Sequence, residues 1–296
     1  MTHTKLRSFL VTLLLPICFS ASAEKSLNLS TWNIEWLSSS PSDKFPQSHR
    51  APEDYATLSN YFAVMGTDVL AFQEVNDKKA LMKVIGNDYK IYFSDRSQPS
   101  NRHHQFEEIN QYTGFAVRSG IELINQRDLV LDTSRSSKLR FATYVVLKPI
   151  GRKPIHMLSV HLKARCSGAF KSTRDCKILK QQGVELNNWM QQREQGKQDY
   201  IILGDFNHNL GYEKDWLWKS IANKTSAVLA TRKTKAECKV RSRNNPNKTH
   251  RFRSLIDHVI VSEQIDLSKP KQTVFETKDV LHYTLSDHCP ISTTLH

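Results

Sequence analysis

The sequence predicts an α/β (α+β) layered sandwich, on two observations. Short apolar runs of strand character recur between helical stretches along the whole length, and no internal repeat or low-complexity linker divides them. Taken in order, Leu-Asn-Leu-Ser-Thr-Trp-Asn at 27–33 opens as a strand, and 53–65 follows with the apolar spacing of a helix. Val-Leu-Ala-Phe-Gln-Glu at 69–74 reads as a strand and 78–85 as a helix. Three more apolar runs, 113–118, 141–147 and 155–162, read as strands before a long helix at 176–195. Strand 200–204, helix 213–221 and strands 255–262 and 290–295 complete the chain. An all-β barrel would have no place for these helices.

At 296 residues, with 24% charged and 39% hydrophobic side chains, the chain can bury a sizeable core, which excludes the disordered and fibrous classes. Lys5 and Arg7 precede an apolar run at 9–19 that ends in Ala21-Ser22-Ala23, the form of a secretory signal peptide spanning 1–23. That run is far shorter than the roughly 20 residues that cross a bilayer. Ile17 is too large for lipoprotein processing at Cys18. The expected mature chain, 24–296, is a single domain, secreted or periplasmic, monomeric and with no stable membrane insertion. Basic residues exceed acidic ones by 13, or by 11 once Lys5 and Arg7 leave, which suits a partner carrying phosphates. The remaining cysteines predict disulfides in an exported chain. Cys166 and Cys176 close a small loop before a helix, which leaves Cys238 with Cys289, and the spacings fit no zinc signature.

Polar residues interrupt the strands at their ends, where rigid active sites are built. Asn33 and Glu35 follow the first strand, Glu74 closes the second, and His161 ends Ser-Val-His-Leu. Asp205, Asn207 and His208 follow Ile-Ile-Leu; Asp257 and His258 fall within Leu-Ile-Asp-His-Val-Ile; Asp287 and His288 fall within Ser-Asp-His-Cys-Pro-Ile. Singly, each has an ordinary use as a turn or cap. Together they supply oxygen ligands for a hard divalent cation, neutral donors for a phosphate and two imidazoles for proton transfer. Mg2+, with Mn2+ or Ca2+ as alternatives, suits that donor set better than zinc. His208, His258 and His282 are expected to be structural or exposed, His103 and His104 to lie in a solvated loop, and Trp216 and Trp218 to pack.

In their order, Trp-Asn-Ile-Glu-Trp, Gln-Glu-Val, Ser-Val-His-Leu, Gly-Asp-Phe-Asn, Ile-Asp-His and Ser-Asp-His-Cys-Pro-Ile resemble the motifs of the endonuclease/exonuclease/phosphatase superfamily, in its secreted, deoxyribonuclease I-like form. The resemblance runs from Asn33 to Pro290. It implies a four-layer αββα sandwich, two mixed sheets flanked by helices, and metal-dependent hydrolysis of phosphate esters at one rim. By motif it implies Glu74 as the principal metal ligand, with Asn33 beside it and Asp287 as a further contact. It implies Asp205 as the group that orients and deprotonates water, and Asn207 as the holder of a phosphate oxygen. His288, held by Asp257, and His161 would touch the phosphate from two sides. The sequence departs from the digestive pattern, in which a glutamate supports the first histidine: Gln111 stands in that place. Glu108 is an alternative source of that charge, and Tyr112 a further phosphate contact.

Substrate class rests on charge distribution. Residues 231–253 carry nine basic side chains against the single acid Glu237 and run into the strand holding Asp257. Arg241, Arg243, Arg251 and Arg253 are expected to gather a polyanion beside the rim, which makes DNA or RNA the expected partner of a nuclease. The alternative is a secreted sphingomyelinase or phospholipase C, which would need an apolar membrane-docking hairpin that the sequence does not display. Inositol phosphatases of the superfamily carry a Trp-Cys-Asp-Arg type motif where this chain has Leu255-Ile256-Asp257-His258. A non-enzymatic binding protein would have no need of the full set of catalytic residue types.

Overall fold

Side chains alternate along each central strand between two faces, and this sorting builds the layers. The computed structural model describes residues 26–134, 137–242 and 244–296. The expected signal peptide at 1–23 and Arg243 therefore lie outside the described residues. In chain order the strands are β1 (Leu27–Leu37), β2 (Val69–Val75), β3 (Tyr89–Phe93), β4 (Tyr112–Arg118), β5 (Glu122–Asn125), β6 (Thr143–Lys148), β7 (Ile155–His161), β8 (Asp199–Asp205), β9 (Val228–Leu229), β10 (Lys239–Arg241), β11 (Thr249–Arg251), β12 (Asp257–Val261), β13 (Lys271–Gln272) and β14 (Ile291–Leu295). The α-helices are α1 (Pro52–Met65), α2 (Lys78–Ile85), α3 (Arg174–Gln195), α4 (Trp216–Ile221) and α5 (Thr277–His282).

Two six-stranded sheets form, in the orders β13-β14-β1-β2-β4-β3 and β5-β6-β7-β8-β12-β9, with β10-β11 as a separate hairpin. Both are mixed: β1 with β2 and β7 with β8 run parallel, and the other pairs run antiparallel. Leu29, Ala71 and Phe115 of the first sheet meet Met157, Ile201, Leu203 and Val259 of the second in a buried layer between them. Their neighbours Trp32, Leu70 and Phe72 face the other way, onto Leu58 and Phe62 of α1 and Leu81 and Val84 of α2. On the far side Leu158, Val160 and Ile202 pack against Leu186 and Trp189 of α3. The result is the helix–sheet–sheet–helix sandwich that the sequence predicted.

Local chemistry sets the ends of the helices. Pro52 fits the first turn of α1, where its missing N–H has no intrahelical role. Helix α4 starts later than the predicted 213 because the Asp215 carboxylate accepts the Trp218 N–H at 2.7 Å and caps it there. Trp216 and Trp218 are half-buried against the α3 side of the core, as expected. The edge strands β3, β5, β9 and β13 were not predicted. They are short or half-exposed, so they lack the continuous apolar run that marked the central strands.

Two disulfides form with the predicted pairing. Cys166–Cys176 fastens the segment after β7 to the first turn of α3, and Cys238–Cys289 fastens the base of the β10-β11 hairpin beside His288. Among the described residues no helix is long and apolar enough to cross a membrane.

Candidate active site

Strand register lines up three of the predicted residues in one row. His161 on β7 lies opposite Asp205 on β8, which lies opposite Asp257 on β12. All three share the face of Met157, Leu203 and Val259, so they point into the seam between the sheets at its open end. Asn33 does the same from β1, on the face of Leu29. Its amide Nδ2 crosses between sheets, 3.2 Å from Glu74 Oε1 and 3.1 Å from Asp205 Oδ2. Beside Asp205, Gly204 lets β8 lie close against β7: with φ of +148°, a side chain there would place its Cβ 2.0 Å from the carbonyl oxygen of its partner Val160.

Glu74 should not reach this seam at all, since by alternation it shares the outward face of Leu70 and Phe72. It arrives because the β2–β4 register is broken between Phe72 and Val75 and its φ is +59°. Glu35, Trp36 and Asn207 are also in the left-handed region, at +37°, +50° and +51°, so four of the eight described non-glycine residues with positive φ fall in this site. The bent segment is held from below. Asn33 Oδ1 accepts the Glu35 N–H at 3.0 Å, and the buried Arg50 guanidinium donates to the carbonyls of Glu35 and Leu285 at 2.8 and 2.6 Å.

The electrostatics divide the groups into roles. Burial, followed by the nearby Asp287, pushes the Glu35 carboxyl up to about 8. Burial raises Glu74 as well, and Asp205 is raised by burial to about 7. His288 is raised well above the ordinary histidine value: burial opposes its charge, but Asp257 and Asp205 outweigh that. Its Nδ1 lies 2.8 Å from Asp257 Oδ2, and its Nε2 lies 3.8 Å from both Asp205 Oδ2 and Asp287 Oδ1. His161 is the opposite case, held neutral by burial and by the cations Arg140 and His288. Arg140 is itself buried, with Nη2 on the Leu162 carbonyl at 2.7 Å.

The carboxyls of Glu35 and Glu74 stay raised although Arg50, Arg140 and His288 oppose the shift, and a hard divalent cation would supply further positive charge through an all-oxygen set. Glu35, Glu74 and Asp287 could hold it; the Asp287 N–H already donates to Glu35 Oε2 at 2.9 Å. Asp205, Asp257 and His288 also present ligand atoms within 4.8 Å of one another. There, however, His288 and Asp257 are joined to each other as a hydrogen-bonded charge pair, whose nitrogen proton a metal would have to displace.

Hydrogen bonding bears on several of the roles expected from the sequence. Asn33 faces two carboxylates with its nitrogen and accepts the Glu35 N–H with its oxygen, so it spaces the acids and keeps one oxygen lone pair uncommitted. Asn207 commits its amide nitrogen to Leu162 O and Asp205 Oδ2, both at 3.1 Å, and its N–H to Asp205 Oδ1 at 2.7 Å, so it orients Asp205. No hydrogen bond joins Gln111 to His161, whose Nδ1 has no partner among the described residues. Glu108 cannot supply the charge there, because Lys44 and Ser42 hold it. Tyr112 is buried at the start of β4, packed edge-on to Phe93.

Of the basic residues, exposed Arg241 lines a cavity shared with Glu35 and Asp287, whereas Arg251 and Arg253 are exposed outside it. The carboxylate of Glu35 and the cations Arg50 and Arg140 had no assigned role in the sequence reading. Glu35 could have been found, since it stands two residues beyond Asn33 in the same motif. The two arginines sit in unremarkable loops and become visible only in the fold, Arg140 through burial and Arg50 through its bonds to backbone carbonyls.

A family model described as Endonuclease/Exonuclease/phosphatase family matches residues 30–288. Among solved structures, an endonuclease/exonuclease/phosphatase family protein from Bacteroides thetaiotaomicron is similar at 14% identity and TM-score 0.63, covering 92% of this chain and 98% of that one. A mannosyl-6-phosphatase from the same species has 14% identity and TM-score 0.63, covering 91% and 99%. Truncated TDP2 from Caenorhabditis elegans has 17% identity and TM-score 0.56, covering 91% and 97%. At such identities these likenesses speak to the fold. No curated protein matches the chain by sequence.

Proposed function

The chain belongs to the endonuclease/exonuclease/phosphatase family, whose members hydrolyse phosphoester bonds and typically need a divalent metal, and on that premise we propose that it is an exported nuclease cutting DNA or RNA phosphodiesters. The observation that carries the reading is the row of Asp205 between His161 and Asp257, with the His288–Asp257 pair facing a cluster of three carboxylates. The basic 231–253 stretch supports a polyanionic substrate, and the two disulfides support export.

A divalent cation, Mg2+ or Mn2+ by the donor set, would stabilise charge growing on the phosphate's non-bridging oxygens when held by Glu35, Glu74 and Asp287. Asp205, aimed by Asn207 and raised towards neutral pH, takes one proton from a water as that water's oxygen bonds to phosphorus. The opposite P–O bond breaks and the leaving alkoxide gains a proton from solvent, so one water is consumed and a phosphomonoester and an alcohol form. His288 stays protonated through Asp257 and gives a charged hydrogen bond to a phosphate oxygen from Nε2. Neutral His161 contributes position, with Nε2 3.4 Å from Asp205 Oδ2.

The test is a substrate matrix. Purified mature chain is incubated with duplex DNA, single-stranded DNA, RNA, sphingomyelin vesicles and a sugar phosphate, each with Mg2+, Mn2+, Ca2+ or EDTA. Metal-dependent cleavage of a nucleic acid in preference to the others is expected. A preference for sphingomyelin or the sugar phosphate would refute the nuclease reading.

A further inference from the structure

Beside the candidate site lies a cavity of about 760 Å³, walled by the β10-β11 hairpin and by the segment that ends in Asp287. Pairing in the hairpin sets Val240 opposite His250 and Lys239 opposite Arg251, so these two pairs lie on opposite faces. Val240, His250 and Phe252 line the cavity and Lys239 and Arg251 do not, although Arg241 from their face also reaches its wall. Phe252 is an exposed aromatic set edge-on to His250, with ring centres 5.6 Å apart, and Tyr283 lines the cavity from the other segment. Glu35 and Asp287 lie in the same lining, so the space opens directly onto the proposed metal-holding carboxylates. Cys238–Cys289 ties the hairpin wall to the residue after His288 and fixes it relative to the chemistry.

We propose that this cavity is a nucleobase subsite, which receives an unpaired base neighbouring the scissile phosphate and makes the enzyme selective for single strands; the proposal rests on the nuclease reading above. A nucleotide joined to a phosphate at Glu35 and Asp287 places its base within reach of the Phe252 and Tyr283 rings. Aromatic faces accept any base by stacking, but only one freed from its partner strand. Cations beside aromatic rings are the pairing of features that single-strand grooves use: the backbone follows the charge and the base the rings. The polar end of the cavity is unfavourable for an acyl chain, and Arg241 at its wall opposes a quaternary ammonium headgroup.

Rates are measured with Mg2+ on a single-stranded oligonucleotide, its duplex, and single strands carrying one abasic position beside the cleaved bond. The parent should show kcat/KM about tenfold or more higher on the single strand than on the duplex. Phe252→Ala should raise KM on the single strand by about tenfold with kcat little changed, and Phe252→Trp should restore it. The abasic strand should cost the parent a similar factor and cost Phe252→Ala no more. Phe252 is exposed, and unchanged thermal unfolding midpoints verify that its variants fold. Nucleic acid cut equally as single strand and duplex, or cut unaltered by Phe252→Ala, overturns the subsite while leaving the nuclease reading intact. A parent that cuts no nucleic acid but hydrolyses sphingomyelin or a sugar phosphate overturns both.

Discussion

His288 Nδ1 lies 2.8 Å from Asp257 Oδ2, a contact spanning 31 residues of sequence, and Asp257 is itself paired across the ladder with Asp205. The pair keeps the imidazole charged and points Nε2 towards Asp205 and Asp287. His288→Ala, Asp205→Ala and Glu74→Ala should each lower kcat on a small phosphodiester by on the order of 100-fold or more, since each removes a contact made in the transition state. Asp257→Asn should lower it through a less basic His288. Near-parental turnover by the His288 variant would discard the assignment.

Glu35 crowds Asp287 and Glu74, and its carboxyl is pushed up to about 8 by burial and by those charges. If a cation relieves that repulsion, EDTA abolishes activity and Mg2+ or Mn2+ restores it. Glu35→Gln then raises the Mg2+ concentration giving half-maximal rate. An activation curve that superimposes on the parent's would remove Glu35 from the metal set.

The basic stretch should act through salt-screened phosphate contacts. Changing Arg241, Arg243, Arg251 and Arg253 together to Glu should weaken nucleic-acid binding, and the log–log salt slope should fall by about 3 to 4 if all four touch duplex phosphates. The ratio of polynucleotide to small-diester turnover should fall with it. Binding that keeps the parental salt slope would reduce the stretch to a solvated loop.

Unreduced mass spectra should show Cys166 linked to Cys176 and Cys238 to Cys289. The latter closes a separation of 51 residues, so Cys238→Ser should cost about 4 kcal/mol in the chain-entropy account. The shorter closure, of 10 residues, should cost about 3 kcal/mol. Chemical unfolding with and without reductant measures both.

Buried His208 places Nδ1 2.8 Å from the Cys166 carbonyl and Nε2 2.7 Å from Asp215 Oδ2. Both partners are acceptors, so only the doubly protonated ring satisfies both. Burial opposes that charge, yet the Asp215 and Cys166 hydrogen bonds outweigh it and raise the pKa. A raised folded-state pKa contributes stability in full below the ordinary value of about 6.5 and loses it as pH rises through the folded one. His208→Gln should therefore lower the unfolding midpoint more at about pH 6 than at about pH 9. An equal loss at both would show that His208 folds neutral.

Buried His258 contrasts with it. Its Nε2 accepts the Leu210 N–H at 3.1 Å, and burial pushes it down to about 3, so a neutral ring suits the core. The sequence marks both only as histidines beside a motif. Their opposite charge states come from which groups the fold brings to each nitrogen: a carboxylate and a carbonyl at His208, a donating N–H at His258.

By itself the sequence determined the layered class, the central strands and helices, the Cys166–Cys176 pairing, and that Glu74, Asp205, Asp257, Asp287 and His288 stand at strand ends. These are local properties, carried by periodicity, by caps such as Asp215 and by residue type. Tertiary structure alone decided that Glu74 leaves the outward face through a broken register, that Asn33 reaches Asp205 across the sheets, and that Glu108 is held by Lys44. It also put Arg140 beside Glu74 and Asp205, whose charges offset part of what burial costs that guanidinium. Each of these depends on which distant groups share a buried space. Hydrogen bonds and charges acquire their strength only once water has been excluded from that space.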